Sequence, residues 1–91
     1  MTYTYILRCA DGTYYTGWTT DPARRLREHN LGKGSKCTRS RLPVEIVHLE
    51  QFETKEEAMS REWHIKHMTR QEKQTLIAEE AVFNFPISQN S

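Results

Sequence analysis

Residues 2–9 (Thr2-Tyr3-Thr4-Tyr5-Ile6-Leu7-Arg8-Cys9) are rich in β-branched and aromatic side chains and free of glycine and proline, a pattern that predicts a strand. Thr13 to Trp18 repeat it, and Ala10-Asp11-Gly12 between the two runs has the composition of a turn. Loop length decides which side chains meet. A two-residue Asp-Gly turn pairs Arg8 with Tyr15 and puts Tyr5 and Tyr15 on opposite faces of the hairpin. A three-residue loop pairs Leu7 with Tyr15 and Tyr5 with Gly17, making the two tyrosines diagonal neighbours on one face. Gly12 favours the second register, because the last loop residue of a type I turn with a G1 bulge takes the left-handed conformation that glycine tolerates best.

Asp21-Pro22 opens a helix, aspartate as N-cap and proline at the first helical position, and Gly32 stops it after Asn30-Leu31. Arg25 and His29, four apart, share one face of it. Gly32 to Leu42 read as a loop with a short helix across Ser35–Ser40. Val44 to Phe52 read as a third strand, with Val44, Ile46, His48 and Glu50 alternating against Glu45, Val47, Leu49 and Gln51. Thr54 with Glu57 and Thr69 with Glu72 are capping boxes, opening helices expected over Lys55–Met68 and Arg70–Ala81. The expectation is one α/β (α+β) domain over residues 1–83, a small three-stranded antiparallel sheet flanked by helices in the order β-β-α-β-α-α. Residues 84–91 are expected to form a flexible tail.

A chain of 91 residues has room for one hydrophobic core. It has no apolar run long enough to span a bilayer and no basic-then-apolar leader, so a cytoplasmic location is expected. Cys9 and Cys37 stand in no zinc-binding spacing and read as reduced thiols. The formal net charge of +1 conceals a segregation along the chain. Between Asp21 and Leu42, seven basic residues (Arg24, Arg25, Arg27, Lys33, Lys36, Arg39, Arg41) face two acids, whereas six acids outnumber two bases between Pro43 and Glu62. Overall attraction to nucleic acid is therefore weak, but a local basic patch is expected.

Two observations need each other. Tyr5, Tyr15, Arg25 and His29 gather phenols, a guanidinium and an imidazole within the first third of the chain, without a carboxylate. On the Thr54 helix, counting about 100° per residue from Ala58, Met59 falls near ~100°, Trp63 near ~140° and Ile65 near about −20°, with Glu62 at ~40° inside that apolar arc. An inward carboxylate costs several kcal/mol unless paired, protonated or bound to a metal. A buried salt bridge to an arginine is one solution, and a metal ligand or acid/base group at the mouth of a cleft is the other. Hydrolysis of a phosphodiester uses both sets: Glu62 for one Mg²⁺ or Mn²⁺, Arg25 for the non-bridging oxygens, and Tyr5 or Tyr15 for the attacking water. A free phenol, with a pKa near ~10, needs a neighbouring cation to act as base at neutral pH. Trp18, Trp63, Phe52 and Phe83 read as core in preference to base-stacking platforms, and His48, His64 and His67 as surface residues; His64 and His67 lack a third metal ligand.

Tyr3-Thr4-Tyr5, Tyr15-Thr16-Gly17, Arg25, His29 and Glu62 followed by Ile65-Lys66 resemble the GIY-YIG nuclease domain. The resemblance covers Thr2 to Lys73 and is closest to small bacterial proteins in which this domain stands alone. It rests also on the run from Tyr5 to Gly34 and on Thr38-Arg39-Ser40-Arg41-Leu42-Pro43-Val44. It implies that Tyr5 and Tyr15 are the motif tyrosines, one a general base and the other an orienting group. Arg25 would be the catalytic arginine, His29 an active-site residue and Glu62 the metal-binding glutamate. Lys66, Arg70 and Lys73 fall near the cleft in related proteins and join Arg24, Arg27, Lys33, Lys36, Arg39 and Arg41 as candidate nucleic-acid contacts. Only the tyrosine of the first motif is kept, and Cys37 stands where a tyrosine is expected. The implied activity is metal-dependent endonucleolytic cleavage of DNA, on branched or single-stranded substrates in repair or recombination, with a protein partner supplying targeting. A nucleic-acid-binding module with weak or no catalysis is the alternative, and an adaptor that keeps only the fold is a third reading.

Overall fold

The structure, a computed structural model, describes residues 1–83; the tail expected over 84–91 lies outside them. β1 (Thr2–Arg8) and β2 (Tyr14–Thr19) form the hairpin, followed by α1 (Pro22–Asn30) and a single turn of helix, α2 (Lys36–Arg39). β3 (Glu45–Phe52), α3 (Lys55–Lys66) and α4 (Arg70–Phe83) complete the described chain. The sheet is antiparallel, in the order β2-β1-β3, so β2 and β3 are its edges.

The hairpin takes the three-residue loop. Cys9 N–H donates to the Thr13 carbonyl at 2.8 Å, Gly12 N–H donates to the Cys9 carbonyl at 2.9 Å, and Gly12 has φ +87°. Leu7 pairs with Tyr15 and Tyr5 with Gly17. Two arginines fasten the loop from outside: Arg41 Nε meets Asp11 at 2.9 Å, and Arg70 Nη2 donates to the Gly12 carbonyl at 3.0 Å while lying over the Tyr14 ring.

The helix starts follow their caps. Asp21 accepts from Arg24 N–H at 3.2 Å, and the reciprocal bonds of both capping boxes are present at Thr54/Glu57 and Thr69/Glu72. Gly32, at φ +80°, follows the end of α1. α3 stops at Lys66, two residues before the expected Met68, where the His67 N–H turns back onto the Trp63 and His64 carbonyls.

β3 does not keep the simple alternation its sequence suggests. Ile6 pairs with His48 but Leu7 with Ile46, so Val47 is an extra residue, a β-bulge. The bulge turns Ile46 and Leu49 to one face, where they pack with Tyr5, Leu7, Cys9, Val44, Tyr15, Leu26 and Leu42. The opposite face, carrying Thr4 and Ile6, is covered by α3 through Ala58 and Ile65, and Thr4 Oγ1 donates to the Ala58 carbonyl at 2.8 Å. His48, expected at the surface, is completely buried on this second face. It meets Glu50, which also accepts from Arg61 Nε at 2.9 Å and Nη2 at 3.0 Å. Burial alone would raise the Glu50 carboxyl, but the bonds from His48 and Arg61 outweigh it and hold the group below its ordinary range.

The apolar arc of α3 is narrower than the sequence suggests. Ala58 and Ile65 are buried, whereas Met59 is 43% and Trp63 58% exposed, so Trp63 is not a core residue. Phe52 and Trp18 are half-buried; the Phe83 side chain lies outside what is described. His64 and His67 are exposed, as expected.

Because the left-handed Gly12 fixes the register, Gly12→Ala should destabilise the fold by about 1 kcal/mol, the cost of a Cβ in that conformation. The expected result is a lower urea midpoint at unchanged m-value; an unmoved midpoint would show that the loop does not depend on this glycine.

Candidate active site

β1 and β2 supply two rings and a gap. Gly17, opposite Tyr5, has no side chain, and the Tyr5 ring occupies the space: a Cβ at Gly17 would lie 2.6 Å from the phenol oxygen. Tyr15 stands beside it, ring centroids 6.5 Å apart. α1 brings Arg25 and His29 over the same face, and Gly34 lets the following loop close on the His29 ring, where a Cβ would collide with the imidazole. Tyr5, Tyr15, Gly17, Trp18, Thr19, Thr20, Arg25 and Glu62 line one cleft of about 480 Å³ at the β2 edge of the sheet.

The hydrogen bonds assign the histidine tautomer. Thr38 Oγ1 donates its single proton to the Ser35 carbonyl at 3.2 Å, so toward His29 Nδ1, at 2.8 Å, it acts as acceptor. Nδ1 carries the proton, and Nε2 turns its lone pair to the Tyr5 hydroxyl at 3.3 Å. The same phenol oxygen accepts from Arg25 Nε at 3.4 Å. Tyr5 thus stands between a cation and a neutral base, through bonds long enough to tighten when a ligand enters. The Tyr15 hydroxyl stays outside this network, its ring edge-on to His29 at 5.3 Å.

The charge states follow from burial. Desolvation first, then the Arg25 charge, push His29 below its ordinary 6.5, with Glu28 pulling weakly the other way. Desolvation raises the Tyr5 phenol above 10.0, the hydrogen bond and charge of Arg25 oppose it, and the charges of Tyr15 and Glu62 add to the rise. At rest the proton sits on Tyr5. Arg25 is held at three points: Tyr5, Glu28 at 3.2 Å and the Gly34 carbonyl at 3.2 Å. Of its five N–H donors, two remain for a ligand.

Glu62 does not take the first of the two solutions open to an inward acid: among the described residues it pairs with Lys66 and not with an arginine. It lies at the border of the buried arc, its side chain 21% exposed, with its carboxylate 3.5 Å from Lys66 Nζ. The salt bridge to an arginine is made elsewhere, by the part-buried pair of Glu50 and Arg61. Arg61 is thereby taken, and Glu62 is left to the cleft. Among the described residues no group of three or more His, Cys, Asp or Glu converges on a possible ion.

Arg24, Arg27, Lys33, Lys36 and Arg39 are exposed on α1, α2 and the loop between, Arg24 in an ion pair with Glu28 at 3.3 Å. Lys73 is half-buried on α4. Arg41 and Arg70 instead grip the hairpin loop. Sequence reasoning did not single out Thr38, which fixes the histidine tautomer, or Gly34, which makes room for its ring. The Ser35 cap of α2 was the available signal, since it turns Thr38 inward. Among the described residues no helix is long and apolar enough to cross a membrane.

A glycine-backed tyrosine pair under an arginine-histidine helix, with a glutamate reaching in from a later helix, is the layout of a nucleic-acid-associated domain. Residues 1–75 match the family model of the GIY-YIG catalytic domain, and the chain belongs to that family. Similar proteins include the UPF0213 protein HQ_3675A of Haloquadratum walsbyi, 52% identical over 92% of this chain and 94% of that one. A UPF0213 protein of Streptococcus agalactiae is 56% identical over 82% of this chain and 85% of its own. The solution structure of a UPF0213 protein from Bacillus halodurans superposes with a TM-score of 0.58 at 47% identity, covering 88% of this chain and 86% of that one.

Two NMR outcomes are expected. The His29 ring should titrate below 6.5, so its contribution to stability is fully present above that pH and is lost as the pH falls toward the folded-state value. In Thr38→Val, ¹⁵N ring shifts should move from a protonated Nδ1 to a mixture of tautomers; unchanged shifts would show that Thr38 does not set the tautomer.

Proposed function

We propose that this chain is a divalent-ion-dependent DNA endonuclease in which Tyr5 activates the attacking water, passing its own proton to His29. The observation that carries this reading is the Tyr5 hydroxyl, set between Arg25 Nε and the bare Nε2 of His29 in a cleft that Glu62 also lines. That arrangement singles out Tyr5 over Tyr15, whose hydroxyl has no such base.

The residues fit one hard cation. Mg²⁺ and Mn²⁺ are commonly held by one or two carboxylates, with waters and phosphate oxygens completing the shell, so a lone Glu62 suffices where a protein cage is missing. The Lys66 pair is no obstacle, since at 3.5 Å the lysine, half exposed, can turn to solvent and free the carboxylate. A cation there would polarise the phosphate and stabilise charge on the leaving oxygen. Neutralising Glu62 also removes one of the charges that hold the Tyr5 phenol up. Tyr5 then takes the proton of the attacking water as its own passes to His29 Nε2, while the two free N–H groups of Arg25 meet the non-bridging oxygens as negative charge grows on them.

A second reading, a nucleic-acid-binding module with weak or no catalysis, is favoured by the resting state: the phenol is held up and the imidazole down. Divalent-ion-dependent nicking of branched, flapped and single-stranded DNA separates the two. Tyr5→Phe should lower the rate by about 10²–10⁴-fold, the range for a general base, and Glu62→Ala should remove the divalent-ion-dependent nicking, while DNA binding persists in both. Binding without nicking by the wild type would leave the module, and binding to no DNA at all would leave an adaptor. The near-neutral charge of the chain further points to a protein partner that supplies targeting.

A further inference from the structure

Trp63 is a large aromatic ring with no place in the core, 58% exposed on a helix whose neighbouring Glu62 lines the cleft. The ring is not loose. His67 stacks on it with centroids 3.9 Å apart and planes at 26°, and His67 Nδ1 is tied to the Trp63 carbonyl at 2.7 Å. His64 meets it edge-to-face at 5.3 Å. One face of the indole is therefore covered by His67 and the ring is held in orientation, while 58% of the residue stays exposed. Met59, one turn earlier and 43% exposed, extends the apolar margin.

We propose that Trp63 is a stacking platform for an unpaired base, so that the nucleic acid this chain takes presents a single-stranded or extruded nucleotide beside the phosphate held in the cleft. The proposal rests on the nucleic-acid reading above and adds the class of substrate to it. Around α3, Trp63 stands about 100° from Glu62, which on a helix 10–12 Å across separates the two side chains by about 8 Å, the scale of one nucleotide. Lys66 lies on the arc between them, half exposed and paired with Glu62 at 3.5 Å, so the stretch from cleft to platform does not present a bare carboxylate to a strand crossing it. Apart from Glu62, the acid of α3 closest in angle to Trp63 is Glu56, about two turns toward the start of the helix. A base inside a duplex already stacks on both sides and cannot reach a ring on a convex helix surface; an unpaired one can. Stacking on a lone indole reads no base edge, so the preference is for strand structure and not for sequence.

Equilibrium binding of a short labelled oligodeoxyadenylate and of a blunt duplex of the same length tests this. Trp63→Ala should weaken single-strand binding about tenfold and leave duplex binding within about twofold, while Trp63→Phe keeps most of the single-strand affinity. Circular dichroism checks that the exposed substitution leaves the fold intact. Single-strand affinity unchanged in Trp63→Ala, or equal loss on both DNAs, overturns the platform while the nucleic-acid reading stands. A wild-type dimer in sedimentation equilibrium that Trp63→Ala dissolves assigns the surface to a second copy and also overturns it. Binding of neither DNA by the wild type overturns both readings.

Discussion

The contact between the Tyr5 ring and the bare backbone of Gly17 is the constraint on which the site rests. It exists only in the register that pairs the two residues, and that register needs a three-residue loop ending in a left-handed Gly12. With the phenol laid across β2, its oxygen lies within reach of both Arg25 and His29. Gly34 performs the matching service on the other ring, letting the loop after α1 seal the imidazole. Two missing side chains thus permit two polar rings to be buried in contact.

That burial sets the chemistry. A histidine beside an arginine and away from solvent stays neutral, and a neutral histidine whose Nδ1 proton is committed to Thr38 offers Nε2 as a base. Desolvation acts on Tyr5 in the opposite sense, holding its proton in place. The pair is thus poised against transfer in the resting protein, and the carboxylate of Glu62 adds to that bias. A cation on Glu62 would offset part of it, because the Glu62 charge is one of those that hold the phenol up. A carboxylate that held such an ion would then also govern the acidity of the phenol.

Much of this was legible in the chain, and what was not shares a cause. Turn chemistry and capping boxes are local, so the hairpin register and the helix starts could be read from a few adjacent residues such as Gly12, Asp21 and Thr54. Burial is not local. His48 looks like an exposed strand residue until the bulge at Val47 turns it under α3, where Glu50, itself held by Arg61, satisfies it on one side. Its Nδ1, like Thr16 Oγ1, is buried without a partner among the described residues, a cost no sequence pattern announces. Reading Met59 and Trp63 as core assumed that apolar residues on one helix arc are buried together. The helix buries only the narrow strip that Ala58 and Ile65 define. Glu62 nonetheless points to the site, since it lies at the edge of that strip and Arg61 is already spent on Glu50.

The charges divide across the cleft in a way that bears on what it can hold. Arg41 and Arg70 fasten the hairpin loop and Lys66 faces Glu62, so the open cations are those of α1, α2 and their connection. A strand of nucleic acid therefore meets positive charge on the α1 side and, on the α3 side, a carboxylate and an indole. Few phosphates can be neutralised by such a surface, and backbone attraction alone gives modest affinity that salt would erode further. An uncharged contact next to the cleft would compensate where more lysines would not, because stacking survives screening and an extra cation beside Glu62 would compete with any divalent ion held there.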